Sequence, residues 1–238
     1  MSLDIEVFKG KRDGVKKSKN QEKYSLPANG LLYIASPTGS GKTNLICNLL
    51  QPRMLGSVYD KIYIFTLSPC TMLQEHCKKI NEESVIIGDA YGEILTEIVQ
   101  KQEAYLDDNE FKKAPHILII CDDVISSKPF MKNPTLSKLA YMGTHMKFST
   151  WIISQDYHSL PKPIRMNVHG VIIIHGVKEK EIESFIDEHA SAFLTRNQMR
   201  QLIKHAIEEP YSFLFYNCTN PNKKEAYRKG FSTILKIQ

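Results

Sequence analysis

Short, almost wholly apolar runs alternate along this chain with stretches in which apolar residues recur every three or four positions. The runs fall at 31–35, 61–67, 84–88, 116–123, 150–155, 170–176 and 211–216. Most are rich in β-branched or aromatic residues and too short for a typical helix, so each predicts a strand. Several, notably 116–123 and 150–155, are apolar at nearly every position, which suits the buried centre of a parallel sheet. Between them, Leu45, Ile46, Leu49 and Leu50 predict a helix beginning near residue 42 and disturbed by Pro52. Ser68-Pro69 opens a helix to about residue 80, and Ile94, Leu95, Ile98 and Val99 mark another over 90–106. Further helices are expected over 135–142, over 178–190 through Ile182, Phe185 and Ile186, and after Thr195 through Met199, Leu202 and Ile203. Strands alternating with helices at this spacing give an α/β fold, a mostly parallel, twisted sheet flanked by helices. In such sheets ligands bind at the carboxyl ends of the strands.

The candidate chemistry sits at those ends. Ser36-Pro37-Thr38-Gly39-Ser40-Gly41-Lys42-Thr43 joins the first strand to the first helix and leads into Asn44. Strand, glycine-bearing loop, Lys-Thr, helix is the order of a phosphate-binding P-loop. Backbone N–H groups and the positive helix end converge on an anion there. Lys42 would reach the β- and γ-phosphates of ATP, and the Thr43 hydroxyl would ligate Mg²⁺. Gly39 and Gly41 permit positive φ and close approach of backbone to phosphate. Ser36 stands where the motif usually has its first glycine, and Pro37 biases it toward extended backbone.

Asp122 and Asp123 end the apolar run 116–123. A carboxylate there helps hold Mg²⁺, the role assigned to Asp122, while Asp123 would orient or deprotonate the attacking water. Two acids capping a following helix is the other reading of the pair. Gln155 ends the next strand, where it can sense the γ-phosphate or simply satisfy loop backbone. The proline-stiffened segment 159–167 would project Lys162 and Arg165, with Arg165 a candidate arginine finger and Lys162 its helper or a DNA contact.

Composition changes this picture only in part. The 238 residues, 42% hydrophobic and 24% charged, are ordinary for one soluble domain, here 30–238 preceded by a basic arm over 1–29. No apolar run approaches the ~20 residues needed to cross a bilayer, and no apolar signal core marks the N-terminus, so secretion is not expected. Five scattered cysteines suit a reducing compartment rather than a disulfide scaffold. The net charge of +5 is concentrated in 9–23, where Lys9, Lys11, Arg12, Lys16, Lys17, Lys19 and Lys23 face only Asp13 and Glu22. Such an arm grips a polyanion or is a solvated tail. Lys223 and Lys224 form a second candidate phosphate contact.

The ordered set S-P-T-G-S-G-K-T, I-L-I-I-C-D-D, W-I-I-S-Q and L-P-K-P-I-R-M-N resembles the viral genome-packaging ATPases of the FtsK–HerA superfamily, nearest to the poxvirus-type branch of large DNA viruses and virophages. It spans about 30–176. The resemblance implies a P-loop NTPase of the additional-strand type, in which the strand ending in Gln155 lies between the P-loop strand and the acid-ending strand. It implies ATP hydrolysis with Mg²⁺, a homo-oligomeric ring (pentamer or hexamer), double-stranded DNA as the translocated partner, and a capsid or portal-vertex protein as the docking partner. Carried over by residue, Lys42 and Thr43 bind phosphate and metal, Asp122 and Asp123 are the acid pair, Gln155 the sensor, and Arg165 the arginine acting in trans. The implied location is the infected-cell cytoplasm, in the viral factory, with the virion as a second place. No nuclease signature follows the ATPase core, unlike the large terminases. Two other functions compete: a cellular DNA translocase or helicase of the same superfamily, and a nucleotide-switched capsid-docking module without sustained turnover. An arginine-rich kinase lid and an N-K-x-D guanine-reading motif are both missing, which disfavours a nucleotide kinase and a GTPase.

Overall fold

Strand β1 (Leu31–Ala35) is buried at every position because it lies inside a nine-stranded sheet and is covered on both faces. The computed structural model describes residues 29–68, 70–80, 84–87, 92–108, 111–190 and 194–236; the basic arm over 1–29 lies almost wholly outside them. The other strands are β2 (Lys61–Thr66), β3 (Val85–Ile87), β4 (Ile117–Asp122), β5 (Phe148–Ser154), β6 (Gly170–Ile174), β7 (Phe213–Asn217), β8 (Tyr227–Lys229) and β9 (Thr233–Ile234). Their order across the sheet is β3-β2-β4-β5-β1-β6-β7-β8-β9. The first six run parallel and the last three continue antiparallel.

The pleat sorts side chains by parity. Leu31, Tyr33 and Ala35 join Ile119, Ile152 and Val171 in one core, and Leu32 and Ile34 join Leu118, Ile120, Trp151 and Ile172 in the other. Helices α1 (Lys42–Leu49) and α2 (Thr71–Ile80) bury Ile46, Leu49, Leu73 and Cys77 against the second core. The first core is covered by α3 (Gly92–Asp108), α5 (Pro134–Met142), α7 (Glu179–His189) and α8 (Arg196–Ala206), with a short α4 (Lys128–Met131) and α6 (Lys162–Arg165) between. A fully buried side chain such as Ile34 contributes roughly 1.5–3 kcal/mol through the area it removes from water. No helix among the described residues is long and apolar enough to cross a membrane.

Three differences from the sequence expectations have physical causes. The last long strand starts at Phe213 rather than 211, because Glu209–Ser212 forms a tight turn through Pro210. β8 and β9 have three and two residues, too short for any alternation to register. The segment after Leu160, for which only proline stiffening was expected, folds into the single turn α6, with Pro163 in its first turn.

Candidate functional site

β5 inserts between β1 and β4, with Ala35 opposite Ser154 and Asp122 opposite Ile153. This register brings the ends of three strands, and hence three functional loops, to one edge of the sheet. The loop after β1 turns through Gly39 (φ 77°) and Gly41 (φ 90°), both left-handed positions that glycine takes without strain. Gly41 is the N-cap of α1, and its carbonyl accepts the first helical bond from Leu45 N–H at 3.0 Å. The first-turn N–H groups of α1 have no partner inside the helix and form an anion seat.

Ser36 is buried, and its N–H donates to the carbonyl of Ser154 at 2.8 Å. Its hydroxyl pairs with that of Ser40, which also donates to Pro37 O at 2.8 Å. The serine in place of glycine therefore braces the loop from within. Pro37 packs toward Gly176, where a Cβ would come within 3.2 Å of its ring. Thr38, Gly39 and Asn44 are exposed, and Thr43 is half-buried.

Lys42 forms an ion pair with Asp123, and its Nζ lies 3.9 Å from Asp122 Oδ1. Asp123 sits at φ 55°, in the left-handed region that aspartate tolerates, and its N–H donates to Ile153 O at 3.2 Å. That turn ends β4 and brings both carboxylates within reach of the lysine. Asp122 Oδ1 is buried and accepts no hydrogen bond. Burial pushes the Asp122 carboxyl above its usual range, Lys42 pulls it down, and Asp123 adds to the rise. A buried carboxylate oxygen without a donor, 3.9 Å from the ammonium of the lysine that Thr43 follows, fits Mg²⁺, which takes one or two carboxylates plus phosphate oxygens. Among the described residues no group of three or more His, Cys, Asp or Glu is gathered for a metal. Gln155 is exposed immediately after the Ser154 carbonyl that holds Ser36.

The expectation that Lys162 and Arg165 both project is corrected. Lys162 is exposed, but Arg165 is turned inward and only 7% exposed. Its Nε donates to Glu188 Oε2 at 3.0 Å and its Nη2 lies 2.5 Å from Glu188 Oε1. Its Nη1 donates to His158 O at 2.8 Å and also to Leu160 O. Tyr157, whose hydroxyl donates to Glu188 at 2.9 Å, lies under the guanidinium with 5.5 Å from Cζ to the ring centre. A charged side chain was read as exposed because its acid lies 23 residues away on another helix. Lys223 is likewise drawn in, donating from Nζ to Cys218 O at 2.9 Å, whereas Lys224 is exposed. Lys9, Lys11, Arg12, Lys16 and Lys17 lie outside the described residues. Tyr211, against Gly41 of the loop, was not anticipated as a neighbour of the site; the apolar run 211–216 made it only the first residue of a strand.

The family described as Poxvirus A32 protein matches residues 22–208 of the chain. Among solved structures, the DNA-packaging ATPase B204 of Sulfolobus turreted icosahedral virus superposes with a TM-score of 0.60 at 13% identity, covering 89% of this chain and 99% of that one. The genome-packaging NTPase B204 of Sulfolobus turreted icosahedral virus 2 in complex with ATP-γS gives 0.55 at 13% identity, over 88% and 100%. The conjugation coupling protein TcpA of plasmid pCW3 with ATPγS gives 0.58 at 14%, over 81% of this chain and 58% of its own. At these identities the likeness speaks for the shared fold. Among curated proteins none matches in sequence.

Proposed function

The chain belongs to the poxvirus A32 protein family, a packaging ATPase of the FtsK–HerA type, and from that premise we propose that it hydrolyses ATP to drive double-stranded DNA into a viral capsid. One observation supports the hydrolytic part: β5 lies between β1 and β4, so that the segments carrying Lys42, Asp122–Asp123 and Gln155 leave the sheet at the same edge, with Lys42 paired to the acids. Relatives of the same fold are described as packaging NTPases in complex with nucleotide analogues, which supports ATP as the substrate.

In this reading the Gly39–Thr43 backbone cradles the phosphates and Lys42 leaves Asp123 for the β/γ-oxygens. Thr43 and Asp122 would hold Mg²⁺, which would supply neutralisation of the charge that develops on the phosphates. Asp123, released from the lysine, accepts a proton from the attacking water, and Gln155 orients that water in line. The motor reading adds a homo-oligomeric ring of five or six chains, a capsid or portal-vertex partner, and action in the viral factory of the infected cell or in the virion. Exposed Lys162 and Lys224, with the basic arm Lys9–Lys23, are its DNA contacts. The buried pairing of Arg165 with Glu188 gives it another role: it fastens the α6 turn that carries Lys162.

The test is ATP hydrolysis with and without double-stranded DNA for wild type, Lys42→Ala and Asp123→Asn. Turnover that DNA stimulates in wild type and that both variants abolish supports the motor. Equal, negligible rates in all three would sink it and favour a nucleotide switch.

A further inference from the structure

Tyr211 is a large residue in a conformation and a position that the fold does not need. Its φ is 65° and it is 70% exposed. It occupies the third place of the turn Glu209–Ser212, closed by Ser212 N–H donating to Glu209 O at 3.0 Å, with Pro210 second. Proline followed by positive φ is the type II pattern, which asks for glycine where the tyrosine stands, and a bulky residue there is a true outlier. The turn is pinned from several sides. Ser212 Oγ donates to Glu209 O at 2.6 Å and accepts from Glu209 N–H at 3.2 Å, and Ser212 O accepts from His175 N–H at 2.9 Å. Strain that its surroundings enforce, with no burial gained, points to use of the side chain.

The ring lies against the phosphate loop. A Cβ on Gly41 would stand 3.0 Å from Tyr211 Cδ1, one residue before Lys42. A cavity of about 450 Å³, lined by Leu45, Met54, Phe213 and Phe231 and by the polar Asn48, Arg53 and Ser232, opens along the elements that follow Gly41 and Tyr211 in the chain. Phe213 and Phe231 meet edge to face at 4.9 Å. Leu45 is one turn of α1 beyond Gly41, roughly 6 Å along the axis, and Phe213 follows Tyr211 by two residues. A triphosphate seated on Lys42 therefore has its sugar and base within reach of both ring and cavity. An apolar, aromatic recess with a few polar groups is the usual form of a small-molecule site.

We infer that the Tyr211 ring and the Leu45–Met54–Phe213–Phe231 cavity hold the nucleoside half of the nucleotide, the ring stacking on the base. This rests on the nucleotide reading of the loop. The probes are ATP and inorganic tripolyphosphate, titrated calorimetrically with Mg²⁺ into the full chain. Tyr211→Gly removes the ring and relieves the turn, so it folds at least as well as wild type, which thermal unfolding checks. It loses about tenfold or more in ATP affinity, the scale of base–aromatic stacking, while tripolyphosphate affinity stays unchanged. Tyr211→Phe keeps ATP affinity, and Leu45→Trp, filling the cavity, weakens ATP but not tripolyphosphate. ATP binding to Tyr211→Gly at wild-type strength overturns the inference, as does equal loss for both probes, since the ring would then only shape the loop. Wild type that binds neither probe overturns the nucleotide reading and this inference with it.

Discussion

The N–H of Ser36 donates to the carbonyl of Ser154 at 2.8 Å, so the first residue of the phosphate loop is tied to the strand that ends next to Gln155. The loop after β1 and the position of Gln155 are thereby one mechanical piece. The tie is made by backbone, and it survives any side chain at 36 that fits.

Ser36→Gly should therefore leave ATP turnover within a few-fold of wild type while costing on the order of 1 kcal/mol, through the lost Ser40 contact and the greater freedom of glycine. Urea unfolding and steady-state kinetics measure the two separately. A drop in turnover of a hundredfold would mean that the hydroxyl, and not the backbone, is what the site uses.

Asp122→Asn should raise the Mg²⁺ concentration needed for half-maximal hydrolysis by about tenfold or more, since one of the few protein oxygens offered to the ion loses its charge. Folding stability should hold or rise, because a carboxylate that burial disfavours has been neutralised. A Mg²⁺ titration of the ATPase together with thermal unfolding decides it; an unchanged Mg²⁺ requirement assigns the ion to other oxygens.

Arg165→Ala strands Glu188 in a site where each side chain is 9% exposed, and should destabilise the fold by about 3–5 kcal/mol. Arg165→Met combined with Glu188→Leu should recover most of that loss, because replacing both charges leaves no buried carboxylate unpaired. Chemical denaturation of the single and double variants is the measurement. A single variant as stable as wild type would contradict the clamp.

Acid should weaken this same region before it reaches the carboxylates. Burial pushes the His189 imidazole down to about 4, against the Glu188 charge that favours protonation. The unfolded chain takes up that proton near 6.5, so stability is full above that pH and is lost as pH falls toward 4, by at most about 3 kcal/mol. Burial alone would raise Glu188, but its bonds from Arg165 and Tyr157 outweigh that and hold it below the usual range. Its contribution is lost only at still lower pH. His189→Gln should flatten the fall in melting temperature between pH 6.5 and 4.5 without altering the loss below it.

The parallel half of the sheet could be read from the chain because β1, β4, β5 and β6 are apolar on both faces, and such runs hardly depend on context. The antiparallel extension could not, since β8 is Tyr227–Lys229, with two cations in three residues. The loop, the acid pair and Gln155 were legible because their spacing from strand ends is local information. Arg165 was misplaced and Tyr211 overlooked for the opposite reason: the partner of the one and the neighbour of the other are set by how distant segments pack. A buried Arg–Glu pair 23 residues apart leaves no periodic trace.

Lys42 is counter-ion to Asp123 and stands 3.9 Å from Asp122. A polyphosphate that draws the ammonium to itself sets two adjacent carboxylates against each other, and such a pair favours a dication or a proton. Linkage is reciprocal, so whatever the anion does for the cation the cation does for the anion by the same factor. If the proposed ATP and Mg²⁺ sites are those residues, the lysine makes the site a coincidence detector, responding weakly to either solute alone and strongly to the two together.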